Sequence, residues 1–304
     1  MARQVDDNPM RVHQSTVVVT GATSGIGRAT ARVLVRRGAH VVVVGRASGD
    51  PERVAEALRS ESPSASASWA VADLSRMEEV RALAADLLRR FPRIQALVNN
   101  AGGIFFTRQE TPEGIERTWA LNVLSPFLLS NLLLPALVAG APARVVNIGS
   151  EAHRTGKMRW EDLEGRGRYS GWRAYSQSKL ALLLVTYELV RRWTGTGVVV
   201  NAVHPGFVRS RFGHNNPGLK GGALRFAEGL FAISPDRAAR VVAPMIDDPG
   251  WSGITGRYVR RHRVVRSSPT SMDPAAASRL VQFLSRQAGL PISSPGSPSA
   301  PTLG

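Results

Sequence analysis

The sequence contains no cysteine, and it has no long apolar run. The missing thiols exclude disulfide bonds, thiolate catalysis and cysteine-ligated zinc, and we expect no metal site. A membrane span needs about 18 consecutive apolar residues, which this chain does not have, and the amino terminus, residues 1–7, is polar. We therefore expect a cytoplasmic protein with neither a membrane anchor nor a secretory signal.

Lysine is also scarce, because only three of the 39 basic residues are lysines. Against 23 acidic residues, the basic residues give a formal net charge of +16. Such a charge is typical of nucleic-acid-binding proteins. Here the arginines are scattered, however, and the densest group, residues 257–266, has Tyr258 as its only aromatic. The pattern favours a compositional bias, so we expect an anionic ligand to be compatible with the charge but no nucleic-acid partner.

A chain of 304 residues with 43% hydrophobic residues is long enough for one large domain. Its composition predicts a flexible segment at 1–14, one domain over 15–289 and a disordered, serine- and proline-rich tail over 290–304. Within the domain, the glycine-rich and aromatic segment at about 207–234 is typical of a lid over a substrate. We look for the pocket wall in that lid and at His153 and Trp160, each of which could equally belong to the core.

A glycine-rich turn follows the β-branched run Thr16–Thr20 and leads into a helix that ends at Gly38. Glycines allow a tight turn and let a pyrophosphate approach the amides at the start of the helix, where the helix dipole favours an anion. The order of strand, glycine turn, helix and second strand distinguishes this stretch from an ordinary turn. The turn supplies the candidate cofactor residues Gly21, Thr23, Ser24, Gly25, Ile26 and Gly27.

The second strand ends at Gly45-Arg46 and carries no acidic residue there. Sites for NAD usually place an acid near this position to hold the ribose hydroxyls, whereas an arginine suits the 2′-phosphate of NADP. Arg46, helped by Ser24 and Arg28, therefore favours NADP(H) over NAD(H). The alternative is a solvated arginine at the end of a strand.

Strands and helices alternate four times within the first hundred residues, which predicts an α/β fold. The prediction is a single domain of the Rossmann type, with a doubly wound parallel β-sheet and helices on both faces. Ligands of such sheets bind at the carboxyl ends of the strands. Four polar residues fall at predicted strand ends: Thr20, Arg46, Asp73 and Asn100.

Tyr175 and Lys179 lie four residues apart at the start of a helical run, so they share one face of that helix. A free tyrosine ionises near pH ~10, and a nearby cation lowers that pKa. The pair could thus act as a general acid or base. The spacing is common, however, and often means only a lysine stem lying along a ring.

Taken together, these motifs resemble the short-chain dehydrogenase/reductase family over residues 15–289. The resemblance rests on Thr-Gly-x-x-x-Gly-Ile-Gly, Asp73-Leu74, Asn-Asn-Ala-Gly and Tyr-x-x-x-Lys, in that order. Stretches such as Val145–His153 and Ala174–Ala181 are most similar to the retinol dehydrogenase-like group. Ser150 lies 25 residues before Tyr175, a wide gap that this group shares.

The resemblance implies a catalytic tetrad and further cofactor contacts. The tetrad is Asn122, Ser150, Tyr175 and Lys179. The implied cofactor contacts beyond the glycine turn and Arg46 are Asp73, Leu74, Asn100, Ala101, Gly102, Tyr175, Lys179, Pro205, Gly206 and Val208. In the implied mechanism NADPH delivers a hydride to a carbonyl carbon, Tyr175 protonates the oxygen, and Ser150 hydrogen-bonds it. Lys179 lowers the pKa of the tyrosine and holds the nicotinamide ribose, and Asn122 either positions a water or bonds to neighbouring backbone.

Three functions are compatible with the residues. The favoured one is an NADP(H)-dependent oxidoreductase of a small hydrophobic ketone, aldehyde or alcohol, in secondary metabolism, assembled as a homodimer or homotetramer. The second is a non-catalytic NADP(H)-binding regulator, which a missing Tyr175 or Lys179 would have indicated. The third is a basic nucleic-acid-binding protein, which would bind duplex in a salt-dependent way without turnover.

Overall fold

Valine-rich runs form the centre of the sheet in the computed structural model, which describes residues 15–206 and 233–291. Since their side chains are buried on both faces, these runs lack the alternation of a half-exposed strand. The strands are β1 (Thr16–Thr20), β2 (His40–Gly45), β3 (Ser66–Val71), β4 (Ala96–Asn99), β5 (Ala143–Ile148), β6 (Val198–His204), β7 (Tyr258–Arg260) and β8 (Arg263–Val265).

The eight strands form one sheet in the order β3-β2-β1-β4-β5-β6-β7-β8. All neighbours are parallel except β7 and β8. The predicted Rossmann-type α/β fold is therefore confirmed. The strand order reverses between β1 and β4, so the crevice that such sheets use for ligands opens at their carboxyl ends.

The edge of the sheet is formed by a hairpin. Strand β7 turns back through Arg261 and His262 into the antiparallel strand β8. Tight hairpin turns normally carry glycine or asparagine where φ is positive. Arg261 holds that conformation here, with φ of 57°. The hairpin thus lacks the residue types that would have predicted it.

Helices cover both faces of the sheet, as predicted. They are α1 (Gly25–Arg36), α2 (Pro51–Arg59), α3 (Met77–Arg90), α4 (Arg117–Trp119), α5 (Ser125–Leu132), α6 (Leu134–Ala139), α7 (Gly171–Arg192), α8 (Pro235–Val242), α9 (Pro244–Asp247) and α10 (Pro274–Gln287). One apolar core lies beneath α3, α5, α7 and α10, and a second lies beneath α1, α2 and α8. Among the described residues, no helix is both long enough and apolar enough to cross a membrane.

Several sequence predictions concern residues outside the described ranges. These are the flexible segment 1–14, residues 207–232 of the lid, and residues 292–304 of the tail. The domain limits at 15 and 289 stay predictions.

Candidate active site

The turn after β1 brings the start of α1 close to the end of β4. Gly21 and Gly25 have φ of 63° and 54°, a backbone conformation that residues other than glycine rarely adopt. A Cβ at Gly27 would lie 2.5 Å from the side-chain nitrogen of Asn100 and from the carbonyl oxygen of Gly21. Glycine at these positions is therefore required by the packing as well as by the backbone conformation.

The amino end of α1 has the properties of an anion site. Its cap residue, Ser24, makes no capping hydrogen bond with its side chain, and the first turn contains no acidic residue. The first amides of a helix lack partners within it and carry partial positive charge. Thr23 lies against the turn after β2, where a Cβ at Gly49 would be 2.5 Å from its hydroxyl. The turn thus leaves amide donors facing the carboxyl edge of the sheet, which suits a phosphate.

Two arginines beside this turn are exposed and have no acidic partner among the described residues. Arg46 directly follows β2, and Arg28 lies in the first turn of α1. Neither forms an ion pair with a residue of the described ranges. The arginines that follow along α1 are paired, Arg32 with Asp236, Arg36 with Glu61 and Arg37 with Asp247.

Asp73 and Leu74 follow β3 in a loop, rather than ending the strand as the sequence predicted. The carboxylate of Asp73 accepts from the amide and the hydroxyl of Ser75 at 3.0 and 2.7 Å. Leu74 is buried in the core beneath α3. Asp73 is therefore held in a fixed orientation by Ser75.

Asn100 joins the ends of β1 and β4. Its side-chain amide donates to the carbonyl oxygens of Thr20 and Gly21, at 2.8 and 3.2 Å. In return, the hydroxyl of Thr20 accepts from the amides of Asn100 and Ala101 at 2.9 and 3.0 Å. These bonds hold the Asn-Asn-Ala-Gly segment against the glycine turn. Gly102 then approaches the tetrad, since a Cβ there would lie 3.6 Å from Nζ of Lys179.

Asn122 lies in a π-helical segment, Ala120–Leu124, between α4 and α5. Its amide nitrogen donates to the carbonyl of Gly103 and to the hydroxyl of Ser178, and its oxygen accepts from the amide of Gly103, all at 2.9 Å. Of the two roles considered for Asn122, the structure contains the backbone bonds. Pro126 has no N–H for the carbonyl of Asn122, and the helix departs from α geometry just before it.

Ser150 and Tyr175 meet although 25 residues separate them. Ser150 follows β5 and caps the short 3₁₀ turn Glu151–Thr155, and its hydroxyl accepts from the amide of Ala152 at 3.2 Å. Tyr175 is buried in the first turns of α7. Burial raises the pKa of Tyr175 to about 12, and the hydrogen bond with the Ser150 side chain opposes that rise. The phenol therefore remains protonated at neutral pH.

Lys179 lies one helical turn after Tyr175 and is 6% exposed. Its Nζ donates to the carbonyl of Ile148 at 2.9 Å and lies 5.8 Å from the centre of the tyrosine ring. Burial lowers the pKa of Lys179 to about 8. The sequence-based expectation was a tyrosine pKa lowered by this cation. The structure has the opposite net direction, because desolvation of the phenolate dominates.

His153 is fully buried and has a role that the sequence did not reveal. Its Nδ1 donates to the carbonyl of Ser150 at 2.6 Å, and its Nε2 accepts from the amide of Ser268 at 3.1 Å. Its ring also meets the ring of Tyr258 edge to face at 5.0 Å. His153 therefore fastens the Ser150 turn to the chain after β8. It does not form a pocket wall, and only its place three residues after the serine hinted at this role.

Trp160 is not a free pocket wall either. It packs against the main core, and the guanidinium of Arg279 lies over its ring at 4.4 Å. His204 ends β6, and burial lowers its pKa to about 4, so its imidazole is neutral at pH 7. Pro205 is buried, and Gly206 has φ of 122°. Val208 lies outside the described residues.

The carboxyl edge of the sheet thus combines a turn that suits an anion with a serine and with a buried tyrosine and lysine. This arrangement can hold a phosphate-bearing cofactor and exchange a proton with a substrate oxygen next to it. A proton donor with a hydrogen-bonded serine suits acid–base chemistry at a carbonyl or hydroxyl group.

Comparisons with known proteins agree with this chemistry. A family model described as short chain dehydrogenase matches residues 15–217. Retinol dehydrogenase 14 from Mus musculus is 36% identical over 290 residues, which cover 91% of this chain and 87% of the relative. Polyprenol dehydrogenase from the same organism is 38% identical over 269 residues, which cover 86% and 80%.

Two solved structures have folds similar to that of this chain. An uncharacterised protein from Mycobacterium paratuberculosis matches with a TM-score of 0.76 and 31% identity, covering 94% of this chain and 98% of that one. RhlG from Pseudomonas aeruginosa, solved as an NADP active-site complex, matches with a TM-score of 0.66 and 27% identity, covering 84% and 100%. The resemblance to the retinol dehydrogenase-like group is confirmed by the relatives.

Proposed function

Since the chain belongs to the short-chain dehydrogenase family, we propose that it uses NADP(H) to interconvert a hydrophobic ketone or aldehyde and its alcohol. The chain is an oxidoreductase of CH–OH groups with a nicotinamide cofactor. The choice of NADP(H), the hydrophobic substrate, a place in secondary metabolism and the roles of single residues are our proposal.

The uncompensated arginines carry the choice of cofactor. Arg28 and Arg46 remain without an acidic partner in the described ranges, although the next three arginines along the chain from Arg28 each have one. A 2′-phosphate would supply the missing negative charge, and charge-assisted hydrogen bonds to arginine are strong. The absence of an acid after β2 removes the usual partner of an NAD ribose. RhlG, a structural neighbour, was solved with NADP.

The glycine turn fits the remainder of the cofactor. A Cβ at Gly21 would lie 3.0 Å from Cα of Ala101, so the turn packs closely against the Asn-Asn-Ala-Gly segment only because no side chain is present. Thr23, Ser24, Ile26 and the amides of the first turn of α1 would hold the phosphates. Lys179 and the Pro205-Gly206 turn would hold the nicotinamide end.

The proton chemistry belongs to Tyr175 and Ser150. When bound, the cofactor supplies or accepts the hydride. In the reductive direction Tyr175 gives its proton to the substrate oxygen, and Ser150 donates a hydrogen bond to the same oxygen. In oxidation Tyr175 takes the proton back. Asn122 acts as a positioning residue, because its amide already holds Gly103 and Ser178.

Binding of the two cofactors to an Arg46→Ala variant tests this proposal. Loss of a charge-assisted contact worth about 1.5–3 kcal/mol would weaken NADPH binding by about 10- to 150-fold. NADH binding should change little, because it lacks the 2′-phosphate. Fluorescence titration of both cofactors measures the two dissociation constants.

Arg32→Ala is the control, because that arginine lies on α1, one turn after Arg28, but is paired with Asp236. Its dissociation constants for both cofactors should equal those of the unmodified protein. Equal weakening of NADPH and NADH by Arg46→Ala would contradict a 2′-phosphate contact.

A further inference from the structure

The ring of Tyr175 lies in a small apolar cluster of its own. Ile104 and Ala152 are buried against it, and Phe106 packs there partly buried. This cluster is separate from the two large cores that hold the sheet and helices together. The surroundings of the phenol are therefore apolar on the side of Ile104 and Phe106.

Trp172 extends that apolar side to the surface. It lies three residues before Tyr175 on α7, so the two side chains share a helical face. Their ring centres are 6.0 Å apart, and 53% of Trp172 is exposed. The other large apolar residues exposed in the described ranges are not aromatic: Val71, Val138, Val264 and Met272.

Gly171 allows the backbone at Phe106 to lie against the start of α7. A Cβ at Gly171 would lie 2.7 Å from Cα of Phe106 and closer still to the carbonyl oxygen of Phe105. Because no side chain separates them, the first turn of α7 rests directly on the backbone of the chain after β4. Phe106 packs against the cluster of Tyr175, and the ring of Trp172 lies beside the ring of Tyr175.

The side of Ser150 is different, because it is charged. Glu151 directly follows the serine and pairs with Arg154 at 3.0 Å and with Arg260 at 3.6 Å. Its carboxylate also accepts from the hydroxyl of Tyr258 at 2.8 Å. An apolar group placed there would desolvate charges without replacing their water contacts, which is unfavourable.

We propose that Phe106 and Trp172 form the wall that receives the larger apolar substituent of the substrate carbonyl. This inference rests on the proposed function and defines its substrate class. The substrates are ketones, aldehydes and alcohols with one extended apolar substituent, and small polar carbonyl compounds bind poorly. The smaller substituent faces the charged side.

Methyl ketones of increasing chain length, from 2-butanone to 2-undecanone, test the wall with saturating NADPH. Each methylene buried against the wall should raise kcat/KM of the unmodified enzyme, by up to about fourfold. In Trp172→Ala and in Phe106→Ala this increase with chain length should flatten. Trp172→Phe should keep most of the increase.

Val138→Ala is the matched control, since that residue is also exposed, at 40%, but lies away from the site. It is on α6, which precedes the amino end of β5, whereas the site lies at the carboxyl ends of the strands. Its dependence on chain length should be unchanged, and the dissociation constant for NADPH should be equal in all variants. Turnover that depends on chain length equally in Trp172→Ala, Phe106→Ala and the unmodified enzyme would overturn the wall alone. No turnover of any of these ketones, or of the aldehydes and alcohols of matching chain length, by the unmodified enzyme would overturn the proposed function together with the wall.

Discussion

The proposed cofactor side and the proposed catalytic side of the crevice are built in different ways. Around β1, α1 and β4 the site consists mainly of backbone, with glycines that leave amides open and Asn100 holding two strand ends together. Around β5 and α7 the site consists of side chains. Ser150 is held by His153, which in turn is held by Ser268, more than a hundred residues further along the chain.

The difference shows what each part of the site must achieve. A pyrophosphate needs donors and space, which a short stretch of chain can supply by itself. Proton transfer needs a side chain with a defined orientation and protonation state, and distant packing provides both. Changes on the catalytic side should therefore affect turnover, and changes on the cofactor side should affect binding.

Tyr175→Phe should separate the effect on turnover from the effect on cofactor binding most clearly. Removing the phenol oxygen leaves the ring in its apolar cluster but takes away the proton donor, so kcat should fall by about 10²–10⁴-fold. NADPH binding should stay within about twofold, since the glycine turn is untouched. Steady-state kinetics and fluorescence titration of the same preparation measure both quantities.

Tyr169→Phe serves as its control, because that tyrosine hydrogen-bonds to the carbonyl of Phe105 and to Glu116 rather than to the tetrad. It should lose some stability while keeping most of its turnover. Full activity in Tyr175→Phe would exclude the tyrosine as the proton donor.

Gly27→Ala should have the opposite effect, which is weaker binding of the cofactor. The added methyl group would lie 2.5 Å from the carbonyl oxygen of Gly21, so the turn must shift. Overpacking of this kind typically costs about 1–3 kcal/mol in stability, and the displaced amides should bind NADPH less tightly. Urea unfolding and cofactor titration would detect the two effects.

Gly167→Ala provides the comparison, because a Cβ there would lie 3.5 Å from its nearest neighbour, an oxygen of Asp162. That variant should match the unmodified protein in both measurements. A Gly27→Ala protein with unchanged NADPH affinity would mean that the turn does not bind the cofactor.

Lys179→Met tests the cost of keeping a buried cation on the catalytic side. The folded pKa of about 8 lies below the usual 10.5 of a free lysine, so burial of the charged form destabilises the native protein below pH 8. Methionine removes that cost but also the hydrogen bond to Ile148, which leaves a net stabilisation of about 1 kcal/mol at pH 7. Turnover should be lost.

The difference in stability between Lys179→Met and the unmodified protein should depend on pH. As pH rises from 8 towards 10.5, the native lysine loses its proton before the unfolded one, so the unmodified protein gains stability relative to the variant. The advantage of the variant should therefore shrink between urea titrations at pH 7 and pH 9.5. Lys157→Met, which removes an exposed lysine, is the control for the loss of one positive charge.

The sequence predicted the fold well, including the elements around the proposed cofactor site, because the signals for these elements are local. Valine runs, glycine turns and helical periodicity each act within about ten residues, and they indicated β1, α1 and β2 almost to their ends. The roles assigned to the tetrad stay predictions. Their positions came from family resemblance, and the structure brings Ser150, Tyr175 and Lys179 together.

The catalytic side was harder to predict because its causes are not local. Burial reversed the expected shift of the Tyr175 pKa, and no short pattern reports burial of that kind. The bond between His153 and Ser268 joins segments whose proximity depends on β8, and Arg261 gave no sign of the hairpin. Trp172 was the exception, since an aromatic residue three positions before Tyr175 could have been recognised as its helical neighbour.

The anchoring of the Ser150 turn has a consequence for how this enzyme can be divided. The family model ends at residue 217, but the serine turn is held by Ser268, and Glu151 is held by Tyr258. The stretch that matches the family model therefore lacks two residues that hold the Ser150 turn in place. A chimaera that exchanges the last third of the chain with that of a relative would alter the orientation of the Ser150 side chain as well as the outer edge of the sheet.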